Sequence, residues 1–240
     1  MSGDRDLPDV SAPEGVRIGP SLALGLILAP RDCRWLEAWI RRHAAPFDVL
    51  LIIYDGDDVP GTVVDLARAA APQGPGGLQI LPHPLAGDFA AQRNYLARFN
   101  PCDWLLMLDA DERLDEASLR ALRPALDELS RIRPEVRVFG LPRRNTLDGA
   151  PTGVWPDRQF RLVRRGVRWR NTCPAPDASP GCHEFPLEVD DDPAAVAYLD
   201  AVVIEHPKTA RRQARQNAFY EGLGQGSEQI PAQDPEQEAK

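Results

Sequence analysis

Lysine is almost absent from this 240-residue chain: of 28 basic residues only Lys208 and Lys240 are lysines, and 36 acidic residues outnumber the total. The net charge of −8 argues against a general nucleic-acid binder, because phosphate-binding domains usually carry net positive charge. Cysteine is scarce as well. Cys33, Cys102, Cys173 and Cys182 form no Cys-x-x-Cys pair, so no zinc ligand set has the required spacing. They read as reduced thiols, with Cys173 and Cys182 the only two placed to pair across a Pro-rich loop. Long apolar runs are missing too: Leu22 to Ala29 spans eight residues, whereas a membrane-spanning helix needs about 20. Asp4, Asp6, Asp9 and Glu14 precede it against Arg5 and Arg17, which is not the positive start of a secretory signal. The expectation is a cytoplasmic chain without a transmembrane segment.

What is present is a regular alternation. At 43% hydrophobic residues the chain can build a core. Residues 1–20 (with Pro8, Pro13 and Pro20) and 224–240 are too polar to repay chain ordering, and read as tails around one domain over 21–223. The apolar runs Leu22–Leu28, Val49–Tyr54, Leu78–Leu81 and Trp104–Leu108 read as strands covered on both faces. Between them, Trp35, Leu36, Trp39 and Ile40 share a helical face, as do Leu119, Leu122, Leu126 and Leu129. Thr62–Ala71 and Phe89–Phe99 complete the helices, with Asp88 and Asp115 as caps. This predicts an α/β fold with a doubly wound, mostly parallel sheet. After Val136 the pattern changes to strand-like Val136–Leu141, Arg158–Arg164 and Ala201–Glu205, closed by a helix over Ala210–Leu223.

Ligands of such sheets bind beyond the carboxyl ends of the strands. Two ends carry acids: Asp55 after the second strand, and Asp109-Ala110-Asp111-Glu112 after the fourth. Acids clustered at a buried edge repel one another unless a cation neutralises them, and Mg²⁺ or Mn²⁺ suits oxygen ligands and a diphosphate. The alternative is a strand end running into a solvated loop. Residues 137–170 hold nine Arg against Asp148 and Asp157, either an anion site or the solvated faces of strands.

Asp88-Phe-Ala-Ala-Gln-Arg-Asn-Tyr-Leu96, Cys102-Asp-Trp-Leu-Leu-Met-Leu-Asp-Ala-Asp-Glu-Arg113, Trp155-Pro-Asp-Arg-Gln-Phe-Arg-Leu-Val-Arg-Arg165 and His183-Glu184 resemble, in order, segments of the family-2 glycosyltransferases of the GT-A fold, within them the bacterial enzymes that build lipopolysaccharide cores and other surface glycans. The resemblance implies a nucleotide-sugar half over about 21–135 and an acceptor half over about 136–223. It further implies a nucleotide-sugar donor, a UDP-sugar first, a glycan or lipid-linked acceptor, and contact with the inner membrane. Asp55 would accept from the base, Arg93 would face the nucleotide-sugar pocket, and Asp109 would sit near ribose and metal. Asp111 would bind the metal, and His206 is either a further ligand or a strand-end histidine. Glu184, with His183, would be the base of an inverting transfer or a pair that hydrogen-bonds the acceptor. Arg143, Arg144, Arg161, Arg164 and Arg165 would meet an anionic acceptor.

The chain departs from the family pattern at Pro30-Arg31-Asp32, where Asn-Glu is usual, and at Asp55-Gly-Asp-Asp-Val-Pro-Gly-Thr62. The second departure keeps open a GT-A-shaped protein that binds without transferring. A nucleotidyltransferase would need a Gly-rich loop after the first strand, and Ala29-Pro-Arg-Asp32 supplies no glycine.

Overall fold

The first strand, β1 (Leu22–Leu28), is apolar at every position and is hydrogen-bonded on both sides, in parallel with β2 (Val49–Tyr54) and β4 (Trp104–Asp109). The computed structural model describes residues 19–71, 77–153, 155–171 and 184–222. Most of both expected tails, together with Cys173, Cys182 and His183, lie outside them. β3 (Leu78–Pro82) adds to β2 in parallel. The chain thus winds outward through β2 and β3 and then returns to the other side of β1, which makes the β1/β4 boundary the switch point of the sheet.

Beyond β4 the sheet becomes mixed. β5 (Arg113–Leu114), β6 (Val138–Leu147), β7 (Ala150–Pro151), β8 (Asp157–Arg164), β11 (Val196–Tyr198) and β12 (Ile204–Lys208) complete it in the order β3-β2-β1-β4-β8-β6-β12-β5, with β7 and β11 on β6. β8 is antiparallel to both β4 and β6, while β12 runs parallel to β6. β9 (Trp169–Asn171) and β10 (Glu184–Pro186) form a separate ribbon. The α/β, mostly parallel reading therefore holds, strictly so over β1–β4 and with antiparallel additions beyond. β12 begins and ends three residues later than expected, which puts His206 inside the strand rather than after it.

Strand alternation sorts the core into two faces. Leu22, Leu24, Leu26 and Leu28 pack with Leu50, Ile52, Leu106 and Leu108 under α1 (Leu36–His43), α2 (Gly61–Ala70) and α4 (Glu116–Ile132). Ala23, Leu51, Leu105 and Met107 pack under α3 (Phe89–Arg98) and Trp169. Gly25 faces α3 without a side chain because a Cβ there would stand 2.9 Å from Leu96 Cδ2 and 3.0 Å from Met107 Cγ. Asp88 and Asp115 cap α3 and α4, accepting from the N–H of Ala91 at 2.8 Å and Ser118 at 2.7 Å. A short helix α5 (Glu188–Asp191) and the closing helix α6 (Ala210–Gly222) follow. Among the described residues no helix is long and apolar enough to cross a membrane.

Candidate functional site

A cavity of about 440 Å³ opens at the switch point, lined from β1 and its following turn by Ile27, Ala29, Arg31, Asp32, Arg34 and Trp35. Asp55, Leu85, Phe89 and Gln92 form one side, and Asp109, Ala110, Asp111 and Arg212 the other. Asp55 accepts from the Leu85 N–H at 2.8 Å and so ties the end of β2 to the segment after β3. The triplet Gln92-Arg93-Asn94 of α3 divides its labour among three neighbours. Gln92 donates to the His83 carbonyl at 3.1 Å, and Asn94 exchanges two 2.8 Å bonds with the backbone of Trp169. Arg93 turns to the acids.

The acidic loop after β4 is fixed by α1. Trp39 Nε1 donates to the Glu112 carbonyl at 3.0 Å, Arg42 donates to the Leu114 carbonyl at 3.1 Å, and His43 Nε2 accepts from the Leu114 N–H at 3.0 Å. His43 must then carry its hydrogen on Nδ1, which donates to the Trp39 carbonyl at 2.8 Å. Burial holds this neutral imidazole down to a pKa of about 4.

Behind the cavity lies a buried charge cluster. Arg93 is 2% exposed and Arg161 7%. Arg93 bonds Glu184 through Nε and Asp109 at 3.1 Å through Nη2. Arg161 bonds Asp109 at 2.8 Å, Glu184 at 3.1 Å and Glu112 at 3.2 Å. Arg143 joins Glu112 at 3.1 Å to Asp157 at 2.8 Å. Burial raises Asp109 and Glu112 above the usual carboxylate range; it wins over the opposing guanidiniums, Arg93 beside Asp109 and Arg143 beside Glu112. Arg93, expected to face the nucleotide-sugar pocket, is buried behind the cavity, does not line it, and holds Asp109. Among the described residues both bonds to the Glu184 carboxylate fall on Oε1.

Asp111 points elsewhere. Its Oδ2 is 3.2 Å from His206 Nε2 and 3.3 Å from Arg212 Nη2. Asp157 accepts from Asn145 Nδ2 at 2.9 Å, so Asn145 presents Oδ1 to His206, whose Nδ1 donates across 2.8 Å. In the neutral ring Nε2 is therefore a lone pair facing a carboxylate. Burial pulls His206 down toward that neutral form, against the opposing effect of Asp111. Burial raises Asp111, but the His206 bond and the charges of His206 and Arg212 outweigh it and hold its carboxyl well below the usual range. Two acceptors facing at this distance need a proton or a cation between them. One carboxylate oxygen and one imidazole nitrogen could supply part of the shell of a divalent ion, the carboxylate being the donor that suits Mg²⁺ or Mn²⁺. Among the described residues no three His, Cys, Asp or Glu side chains are placed to hold a metal ion together. Of the candidate metal residues Asp109, Asp111 and His206, Asp111 and His206 meet, while Asp109 is drawn to Arg93 and Arg161.

The arginines of β6 and β8 do not form the open basic face expected of them. Arg143 and Arg161 belong to the buried cluster. Arg144 pairs with Glu205 at 2.8 Å and lies over the Trp155 ring, and Arg164 lies over Trp104. Arg165 is exposed. The surplus positive charge of 137–170 is met largely by acids from outside that stretch, Glu112, Asp109, Glu184 and Glu205, together with Asp157 from within it. Asn145, Asp157 and Arg212 are residues beside the site that sequence reasoning did not single out; Asp157 lies within the quoted Trp155–Arg165 segment without being marked there, and each acquires its role by a contact with a distant part of the chain.

No protein-family model and no curated protein matches the chain. Among solved structures it is similar to S. aureus TarS (TM-score 0.47, 11% identity, covering 84% of this chain and 38% of that one). It is also similar to GalNAc-T7 crystallised with UDP, GalNAc and Mn²⁺ (0.46, 8%, 79% and 43%). A third is S. aureus TarS 1-349 in complex with UDP-GlcNAc (0.39, 11%, 52% and 35%). The chain spans about two-fifths of the first two of these chains, and likenesses at this level carry no argument about its chemistry.

Proposed function

We propose that the chain is a GT-A glycosyltransferase of the family-2 kind, which takes a sugar from a nucleotide-sugar, a UDP-sugar first, and passes it to a cell-envelope glycan acceptor. The observation that carries this reading is the meeting of Asp111 Oδ2 and His206 Nε2 at 3.2 Å on the edge of a switch-point cavity that also holds Asp55. Asp55 takes the base side of the donor, and Asp111 with His206 the diphosphate side. A Mg²⁺ or Mn²⁺ ion held by that pair would offset the charge that grows on the departing diphosphate. Asp109 lines the cavity between them, kept in place by Arg93 and Arg161. Glu184 is the proposed acceptor of the acceptor hydroxyl's proton: two guanidiniums fix its Oε1, which orients the carboxylate.

Release of UDP from a panel of UDP-sugars by the full chain, with Mn²⁺ and with chelator, tests the reading. Ion-dependent release is expected; a protein that binds UDP but never releases it from any donor is the binding module the altered Asp55 loop keeps open. Glu184→Gln is expected to leave donor binding intact while slowing transfer by about 10²–10⁴-fold, the usual contribution of a positioned base. Unchanged turnover would remove Glu184 from that role.

A further inference from the structure

Two groups meet at one oxygen of Asp111, the imidazole of His206 and the guanidinium of Arg212. His206 is 6% exposed and held at both nitrogens, by Asn145 and by Asp111. Arg212 is held less tightly: its side chain is 31% exposed and reaches Asp111 at 3.3 Å and Asp32 at 3.6 Å. It stands in the first turn of α6, where Thr209 Oγ1 accepts from its backbone N–H at 3.2 Å. Only five residues separate it from His206, so the corner between β12 and α6 brings both groups to the same carboxylate. Asp32 comes from the turn after β1 and Asp111 from the loop after β4, so Arg212 spans the mouth of the crevice. It lines the cavity together with Arg31 and Arg34.

A guanidinium and a divalent ion cannot both sit on Asp111 Oδ2 without strong repulsion at about 3–4 Å. Because His206 is anchored, Arg212 is the group that would give way to an ion held by Asp111 and His206. A planar guanidinium has a ready partner in two oxygens of a phosphate group. We infer that Arg212 is a diphosphate-binding residue that exchanges Asp111 for the donor's phosphates when the ion binds, and so couples ion and diphosphate with a definite sign. It opposes the ion bound alone and supports the ion bound with a diphosphate. The inference rests on the donor-site reading above and adds to it a residue from the closing helix.

Calorimetry on the full chain separates the two claims, with Mn²⁺ alone, and with UDP, UMP and inorganic pyrophosphate each in saturating Mn²⁺. Arg212→Gln is expected to bind Mn²⁺ alone more tightly than wild type, and to bind UDP and pyrophosphate about tenfold or more weakly, the worth of one charge-assisted contact. UMP, which lacks the second phosphate, loses little. Arg212→Lys, which keeps the charge without the fork, falls between and guards against a folding defect. Wild-type affinity for UDP and pyrophosphate in both variants overturns the role of Arg212 while leaving a wild type that binds UDP with Mn²⁺ as a donor-binding protein. Arg212-dependent binding of pyrophosphate by a wild type that ignores UDP upholds Arg212 and sinks the nucleotide-sugar reading. A wild type that binds neither sinks both.

Discussion

At the residue scale, the site depends on which atoms carry hydrogens. Asp157 orients the Asn145 amide, Asn145 fixes the His206 tautomer, and the tautomer leaves Nε2 as the lone pair beside Asp111. Groups that orient an imidazole ligand in this way are typically worth 10–100-fold in metal affinity. Asn145→Ala is accordingly expected to weaken Mn²⁺ binding by about that factor, read by calorimetry without nucleotide, while the melting temperature changes little because Asn145 is partly exposed. Asp109 and Asp111 were legible in the sequence because a buried run ends on them. Asn145, Asp157 and Arg212 were not, since an amide, a strand acid and a helix arginine have the composition of any solvated surface until β6, β8 and α6 are brought beside β12.

At the element scale, the first four strands and the helices between them announced themselves, because a strand covered on both faces is apolar at every position and a helix with one apolar face is periodic. β5, β9, β10 and β11 are two or three residues long, too short for any period to show. Residues Trp39 to His43 illustrate a role the pattern only half disclosed. Their spacing marked a helix face, but that face grips the backbone of Glu112 and Leu114 rather than merely filling the core. His43 gives this element a pH signature. Its folded pKa of about 4 lies below the ordinary 6.5, so between those values the unfolded chain binds a proton that the folded chain refuses. The contribution of His43 to stability is therefore full above pH 6.5 and falls as pH drops toward 4, by roughly 3 kcal/mol in all. Asp109 and Glu112, raised by burial, work in the opposite direction, so the His43 share reads as a difference: from pH 7 to pH 4.5, urea unfolding is expected to show wild type losing most of that amount relative to His43→Gln.

At the scale of the whole molecule, the charge that looked like an open basic patch is spent inward. Arg143 and Arg161 cross-link β6 and β8 to the acids of β4, its following loop and β10, so the sheet is stitched by ion pairs where it changes from parallel to antiparallel. Removing one partner of such a buried cluster generally costs about 3–5 kcal/mol, which makes these arginines poor candidates for an acceptor and good ones for holding Asp109 at the cavity wall. The proposed cation site then lies at the edge of that cluster, where Asp111 turns away from the arginines of the sheet and toward β12 and α6. One calorimetric experiment tests this division most directly: UDP titrated into wild type and Asp111→Ala, each with and without Mn²⁺. The account predicts that Mn²⁺ tightens UDP binding in wild type and has no effect in Asp111→Ala. Equal UDP affinity in wild type with and without the ion, or an ion effect that survives the loss of Asp111, would contradict it.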